Sequence, residues 1–244
     1  MSLWNATIWG AVSGSAVLLG ALLSMFITIP QKIIGLIMAF GTGVLIGAAS
    51  YELLDEAVKD AGIIPTSIGF VSGALVFTIF DYIVSKYGAS QRKRSVPKAA
   101  AGGGLAIFFG TIMDAIPESI MIGASLIEQP SVNSLLVISI FISNIPEGLS
   151  STVGMKDSGY SNKKVILLWV AVLVASALAS LGGYFLLDGA SVNVKSGIAA
   201  FAGGGIIAMV ASTMMPEAYE DSGPITGLIA ALGLLASIIL DNYS

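Results

Sequence analysis

The chain predicts an all-α membrane protein with eight transmembrane helices in a 3+2+3 inverted-repeat arrangement. Three observations carry that prediction. Only 11% of the 244 residues are charged and 55% are hydrophobic, with a mean hydropathy of +0.91, whereas a soluble domain carries about 25% charge. Apolar stretches of roughly 20 residues, enough to cross about 30 Å of hydrocarbon as a helix, recur along the whole sequence. Finally, two pairs of segments match each other in opposite orientation.

Gly, Pro and polar clusters punctuate the helices. Helix 1, at 5–29, has no basic n-region or clear cleavage site before it and reads as a retained span; Pro30-Gln31-Lys32 ends it. Helices 2 and 3, at 33–57 and 64–87, are parted by the stretch from Gly62 to Pro65. A basic loop, 88–98, holds Gln91-Arg92-Lys93-Arg94 and leads to helix 4 at 99–127. Gln129-Pro130 precedes helix 5 at 133–155, and Asp157-Ser158-Gly159 precedes helix 6 at 163–187. Asp188-Gly189 precedes helix 7 at 195–219, and Ser222-Gly223-Pro224 opens helix 8 at 224–242. Together these make one transmembrane domain over 1–244, with helices 1–3 in 5–87, helices 4–5 in 99–155 and helices 6–8 in 163–242.

Basic residues in short loops set the orientation. One side holds Lys32, Lys86, Arg92, Lys93, Arg94, Lys98, Lys156, Lys163 and Lys164; the other holds Lys59 and Lys195. The first side is expected to be cytoplasmic, which places both termini outside a cell membrane, plasma or inner. The chain has no cysteine and no histidine. Thiolate metal sites, disulfides and redox motifs are excluded, as is the commonest transition-metal ligand. Nothing suggests a nucleic-acid partner.

Residues 39–62 match 200–223 without gaps at Ala39/Ala200, Phe40/Phe201, Gly43/Gly204, Ile46/Ile207, Glu56/Glu217, Ala57/Ala218, Asp60/Asp221 and Gly62/Gly223. These segments lie in helices 2 and 7, which run oppositely. In helix 4, Asp114-Ala-Ile-Pro117-Glu118 matches Ser143-Asn-Ile-Pro146-Glu147 in helix 5. Inverted repeats of this kind are a common transporter plan, with the substrate near the midplane where the repeats meet.

Asp114, Glu118 and Glu147 fall deep inside apolar spans, where an ionisable group is costly and a functional candidate. Asp114 and Glu118 are spaced i, i+4 and project from one face, as do Ser143 and Glu147; Asn144 precedes Glu147 by three. Carboxylates gathered in low dielectric either stay protonated or share a cation, and neither helix core supplies Lys or Arg. A bound dication is the economical answer. Pro117 and Pro146 also leave the carbonyls of Met113 and Ile142 without a helical donor, so these could face an ion or water. The alternative is a pair of ordinary proline kinks with protonated acids bonded to Ser and Thr. Glu52 lies a turn inside the outer end of helix 2 and could line a path to the site; its repeat partner is Thr213. Asp55, Glu56 and Asp60 at the outer mouth, and Glu217, Glu220 and Asp221 at the inner, either attract cations or are solvated helix ends, the commoner case. Asp81 has no assigned role.

The Pro-Glu segments resemble those of the ZIP (Zrt-/Irt-like) family of divalent metal transporters. That family has eight helices, a 3+2+3 inverted repeat, outside termini, a His-Asn-x-Pro-Glu-Gly-like motif in helix 4 and a related one ending in Pro-Glu in helix 5. The segments here are Asp114-Ala115-Ile116-Pro117-Glu118-Ser119 and Ser143-Asn144-Ile145-Pro146-Glu147-Gly148. The resemblance implies a mononuclear or binuclear metal site on Asp114, Glu118, Ser143, Asn144 and Glu147, with Glu52 beside the path, and a homodimer. Asp114 and Ala115 stand where the family has His and Asn, and Ser212-Thr213 where many members have His-Glu in helix 7. The family's histidine-rich cytoplasmic loop is replaced by a basic one. An all-oxygen site suits Mn²⁺, Mg²⁺ or Fe²⁺ better than a His-bearing one does; Zn²⁺ also accepts carboxylates, and Cd²⁺ is a further cargo to test.

The expected function is therefore transport of a divalent cation into the cytoplasm between helices 4 and 5. Two other readings stay open: a carrier of another small solute coupled to Na⁺ or H⁺, and a metal-binding membrane protein without transport. An enzyme is not expected, since the chain lacks both a Gly-x-Gly-Asp segment and the histidines of metalloprotease motifs.

Overall fold

The computed structural model describes residues 3–27, 29–84, 103–128 and 134–242. Every element among them is helical. The basic loop 88–98 and the predicted starts or ends of helices at 85–87, 99–102 and 133 lie outside the described residues.

Helix α1 spans Leu3–Phe26, three residues short of the expected end at 29. The chain before Pro30 is biased away from helical geometry by the proline ring. Helix α2 spans Gln31–Ala61, of which Ala49–Asp55 is π-helical, and it ends four residues beyond the expected 57. Its stop is Gly62, whose φ of 80° suits a residue without Cβ. Helix α3 spans Ile63–Val84, α4 spans Gly103–Glu128 and α5 spans Ser134–Asp157. Pro117 and Pro146 lie within continuous helices. Helix α6, Asn162–Leu187, starts where the Ser161 side chain accepts from the Lys164 amide at 3.4 Å. Helix α7 begins at Val192–Met209, passes through a π-helical turn at Val210–Met214 and continues as Met215–Ser222. After a 3₁₀ turn at Gly223–Ile225, α8 runs Thr226–Asn242.

Among the described residues, seven helical stretches are long and apolar enough to cross a membrane, the last being Val192–Asn242 at 51 residues. Within it Gly223 has φ 73°. The chain is thus an integral membrane protein by the length and composition of its helices. The outward face of α3 presents Ile64, Ile68, Val71, Leu75, Ile79 and Ile83 at helical spacing, an apolar stripe that suits lipid. α5 is the enclosed centre: 72% of its 18-residue apolar stretch is buried, against 22% for that of α3.

Backbone contact through glycine organises the bundle. On α1 and α5, a methyl at Gly20 would overlap the Ile145 carbonyl oxygen and one at Gly148 the Val17 oxygen. The same reciprocity joins α4 to α6 (Gly123 to Ser180, Gly183 to Ile120), α2 to α8 (Gly43 to Ala230, Gly233 to Phe40) and α3 to α7 (Gly73 to Phe201, Gly204 to Phe70). Without competition from water, such close packing is what holds membrane helices together. Met38, Leu45, Met121, Ile140, Met209 and Met214 fill the space between α2, α4, α5 and α7.

Trp169 of α6 is fully buried and donates its Nε1 hydrogen to Thr152 Oγ1 of α5 at 2.8 Å. Thr152→Val keeps the shape and leaves that donor unpaired. The expected cost is about 1–3 kcal/mol, read as a lower melting temperature in detergent; an unchanged melting temperature would show that the indole finds another acceptor.

Candidate functional site

All six residues singled out in the sequence are buried. Asp114, Glu118, Ser143, Asn144, Glu147 and Glu52 are none of them more than 8% exposed. Two helices that each carry a Pro-Glu step supply five of them, and the apolar residues around those steps keep the helices inside the bundle.

Asp114 and Glu118 share a cavity, as their spacing predicts. Its volume is about 50 Å³, and α4 closes it together with α3 and α7 through residues such as Phe77, Phe201 and Met209. Met113, whose carbonyl Pro117 leaves without a helical donor, lines it too. Among the described residues of this lining, none is Lys or Arg. On α5, Glu147 accepts a hydrogen bond from Thr111 Oγ1 of α4 at 2.9 Å. Thr111 is three residues before Asp114, so this bond ties α5 to α4 one turn from the cavity. Ser143 donates its hydroxyl to the Ile140 carbonyl at 3.0 Å, within its own helix. Among the described residues, no three His, Cys, Asp or Glu side chains are grouped closely enough to hold one ion. In this conformation a site on these helices would draw on hydroxyl, amide or carbonyl oxygens besides the carboxylates.

Glu52 lines a second cavity, of about 70 Å³, with Glu56, Asp60, Lys195, Ser125 and Met121. These residues come from the C-terminal ends of α2 and α4 and the N-terminal end of α7, and Leu136 at the start of α5 joins them. α2 and α4 therefore run one way, and α5 and α7 the other. Asp55 instead pairs with Lys59 at 2.5 Å on the surface, as a solvated helix end does, and such a pair contributes little.

Across the bundle, Glu217 departs from the solvated-end expectation. It is 8% exposed and accepts a hydrogen bond from the Ser150 hydroxyl of α5. Its segment, Met215–Ser222, packs on α2 at Gly35 and is tied to α5 by Ser150, contacts that the polar neighbours Glu220 and Asp221 conceal in the sequence. Ser150 and Thr111, which bond to buried acids, are residues that sequence reasoning missed. Their signal was position: Ser150 follows Glu147 by three and Thr111 precedes Asp114 by three, each on the face of a buried acid. Ser212 and Thr213, at the place of the family's helix 7 pair, bond back to Ala208 and Met209 carbonyls at 2.8 and 2.7 Å.

No family model matches the chain. An Arabidopsis thaliana protein named, provisionally, as a zinc transporter is similar to it, with 23% identity over 223 residues. The chain resembles a metal transporter by that name. The similarity covers 90% of this chain and 35% of the relative, so the chain spans about a third of the relative's length. The match extends over most of the chain rather than a single motif.

Proposed function

We propose that the chain carries a divalent metal cation across the membrane, into the cytoplasm, along a path between α4 and α5. The observation that carries this reading is the burial of Asp114, Glu118 and Glu147, at 6%, 2% and 2% exposure, inside apolar helices. Such groups are kept where they act. The similarity to a provisionally named zinc transporter supports metal as the cargo. The donors are oxygens throughout, which favours Mn²⁺ or Fe²⁺ beside Zn²⁺.

The reading includes eight spans in an inverted repeat. A helix of 51 residues would be about 76 Å long, over twice the hydrocarbon thickness. Gly35 of α2 lies against Ala218 and Asp221, and Leu54 against Gly203, so α7 opposes α2; Gly43 and Gly47 lie against Ala230 and Ser237, so α8 parallels it. The chain thus doubles back near Gly223 and supplies an eighth pass. Exchanging α1 with α6, α2 with α7, α3 with α8 and α4 with α5 converts each reciprocal glycine contact into another. The π-helical turns begin at Ala49 and Val210, which are equivalent in the repeat. Lys32, Lys156, Lys163 and Lys164 share one end of the bundle, which we assign to the cytoplasm.

Cavity size weighs against the solute-carrier reading. About 50 and 70 Å³ accommodate a few waters or an ion, while organic ligands occupy about 300 Å³ or more. The reading of binding without transport draws on Ser212 and Thr213, whose hydroxyls are engaged by their own helix. Proteoliposomes loaded with a metal-sensitive dye separate these. Saturable entry of Zn²⁺, Mn²⁺, Fe²⁺ or Cd²⁺ above protein-free liposomes is expected. If folded protein binds metal and moves none, the transport reading is wrong and the binding protein takes its place.

A further inference from the structure

The two ends of the bundle treat equivalent residues differently. The register that sets Ala39 on Ala200 sets Glu56 on Glu217, and the one that sets Pro117 on Pro146 sets Met121 on Ser150. Glu56 and Met121 both line the 70 Å³ cavity, where Glu56 is exposed. Glu217 and Ser150 are buried and joined by a hydrogen bond. At one end of the bundle these positions line a cavity, and at the other their equivalents are buried and bonded together.

We infer that Glu217 and Ser150 form the gate at the cytoplasmic end of the path, shut while the cavity at Glu52 and Glu56 stands open. This rests on the inverted-repeat transport reading. Alternating access requires one end closed whenever the other is open, and a two-state pack of helices provides it. The chemistry suits a reversible closure. A hydroxyl donating to a carboxylate makes a charge-assisted bond, and on opening, water replaces the hydroxyl, so closure is favoured by only a small part of the bond's gross energy. The gate spans the moving parts: Ser150 lies one turn beyond Glu147 on α5, and Glu217 follows the π-helical turn Val210–Met214 of α7. A π turn is a place where a helix readily changes register. The cation released from Glu147 would next meet Glu217, whose carboxylate leaves Ser150 to receive it.

The chain has no cysteine, so single reporter cysteines need no altered background. Ser125→Cys reports the open cavity, and Ser151→Cys, beside the gate residue and fully buried, reports the closed end. In nanodiscs a polar maleimide reaches both ends. The parent chain is expected to label quickly at Ser125→Cys and slowly at Ser151→Cys. Ser150→Ala should slow the first and speed the second by roughly tenfold, the shift expected from losing one bond to a charged group. Glu217→Ala should act in the same direction. Ser150→Thr, which keeps the hydroxyl, should stay within about twofold of the parent. Labelling unchanged by both Ser150→Ala and Glu217→Ala overturns the gate, as does a parent chain inert at Ser125→Cys. The assay contains no metal. A labelling shift in a chain that moves no metal would leave the gate standing and remove the transport reading, whereas unchanged labelling with normal uptake would remove the gate alone.

Discussion

Glu147→Gln is expected to reduce metal uptake at least ~100-fold, equivalent to about 2.7 kcal/mol of lost cation stabilisation. The amide is close in shape to the carboxylate, and its oxygen can still accept from Thr111 Oγ1, the bond seen at 2.9 Å. The fold therefore survives while the charge is lost. A neutral oxygen cannot replace the hydration of a dication in a low-dielectric passage as a carboxylate does. Glu118→Gln, on the cavity it shares with Asp114, should behave alike. Thr111→Val removes only the donor that orients Glu147, and the expected loss is smaller, about 10-fold. Uptake is measured in proteoliposomes alongside size-exclusion profiles that verify folding. Unimpaired uptake in both glutamine variants would move the path away from α4 and α5.

Gly183→Ala is expected to destabilise the bundle by about 3 kcal/mol, while Gly182→Ala, its neighbour, leaves it unchanged or stabilises it. A methyl at Gly183 would overlap the Ile120 carbonyl oxygen of α4, a backbone atom that cannot rotate away, and one at Gly182 meets nothing within 4 Å. Overpacking a tight contact costs about 1–3 kcal/mol and occasionally more. At an open helix position, exchange of Gly for Ala contributes about 0.5–1 kcal/mol of stability. In one detergent the melting temperature of Gly183→Ala should thus fall below that of the parent, and that of Gly182→Ala should lie at or just above it. Equal melting temperatures would mean that α4 and α6 separate without cost, against the close contact that joins them.

Several of these residues were legible from the chain alone, because burying charge is rare enough to stand out. Asp114, Glu118 and Glu147 are conspicuous as acids inside apolar spans, and the i, i+4 spacing of the first two sets them on one helix face, which here lines one cavity. Glu217 was not legible. Its segment is covered by α2 near Gly35 and its bonding partner Ser150 is 67 residues away in sequence, while local polarity points the opposite way. The π-helical turns at Ala49–Asp55 and Val210–Met214 leave no trace in hydropathy, since a single extra residue per turn hardly changes an apolar pattern. Glycines were visible as small residues, but which carbonyl each one meets is a property of the partner helix. The overshoot at helix 1 has a simpler origin, since Ile27 and its neighbours are as apolar as the helix and only Pro30 marks the stop.

Those π-helical turns also impose a numbering constraint on the chain. Each residue added to or removed from a helix turns everything beyond it by about 100°. In α2 the turn precedes Glu56 and Asp60, which line the Glu52 cavity, and in α7 it precedes Glu217, which meets Ser150. A one-residue deletion inside Ala49–Asp55 or Val210–Met214 would swing these acids onto another face while leaving every residue type in place. The same deletion at Ser158 or Asp188, in turns between helices, would be absorbed by the loop. The chain should therefore tolerate changes in length between its helices far better than within these two turns, where residue count is itself part of the site.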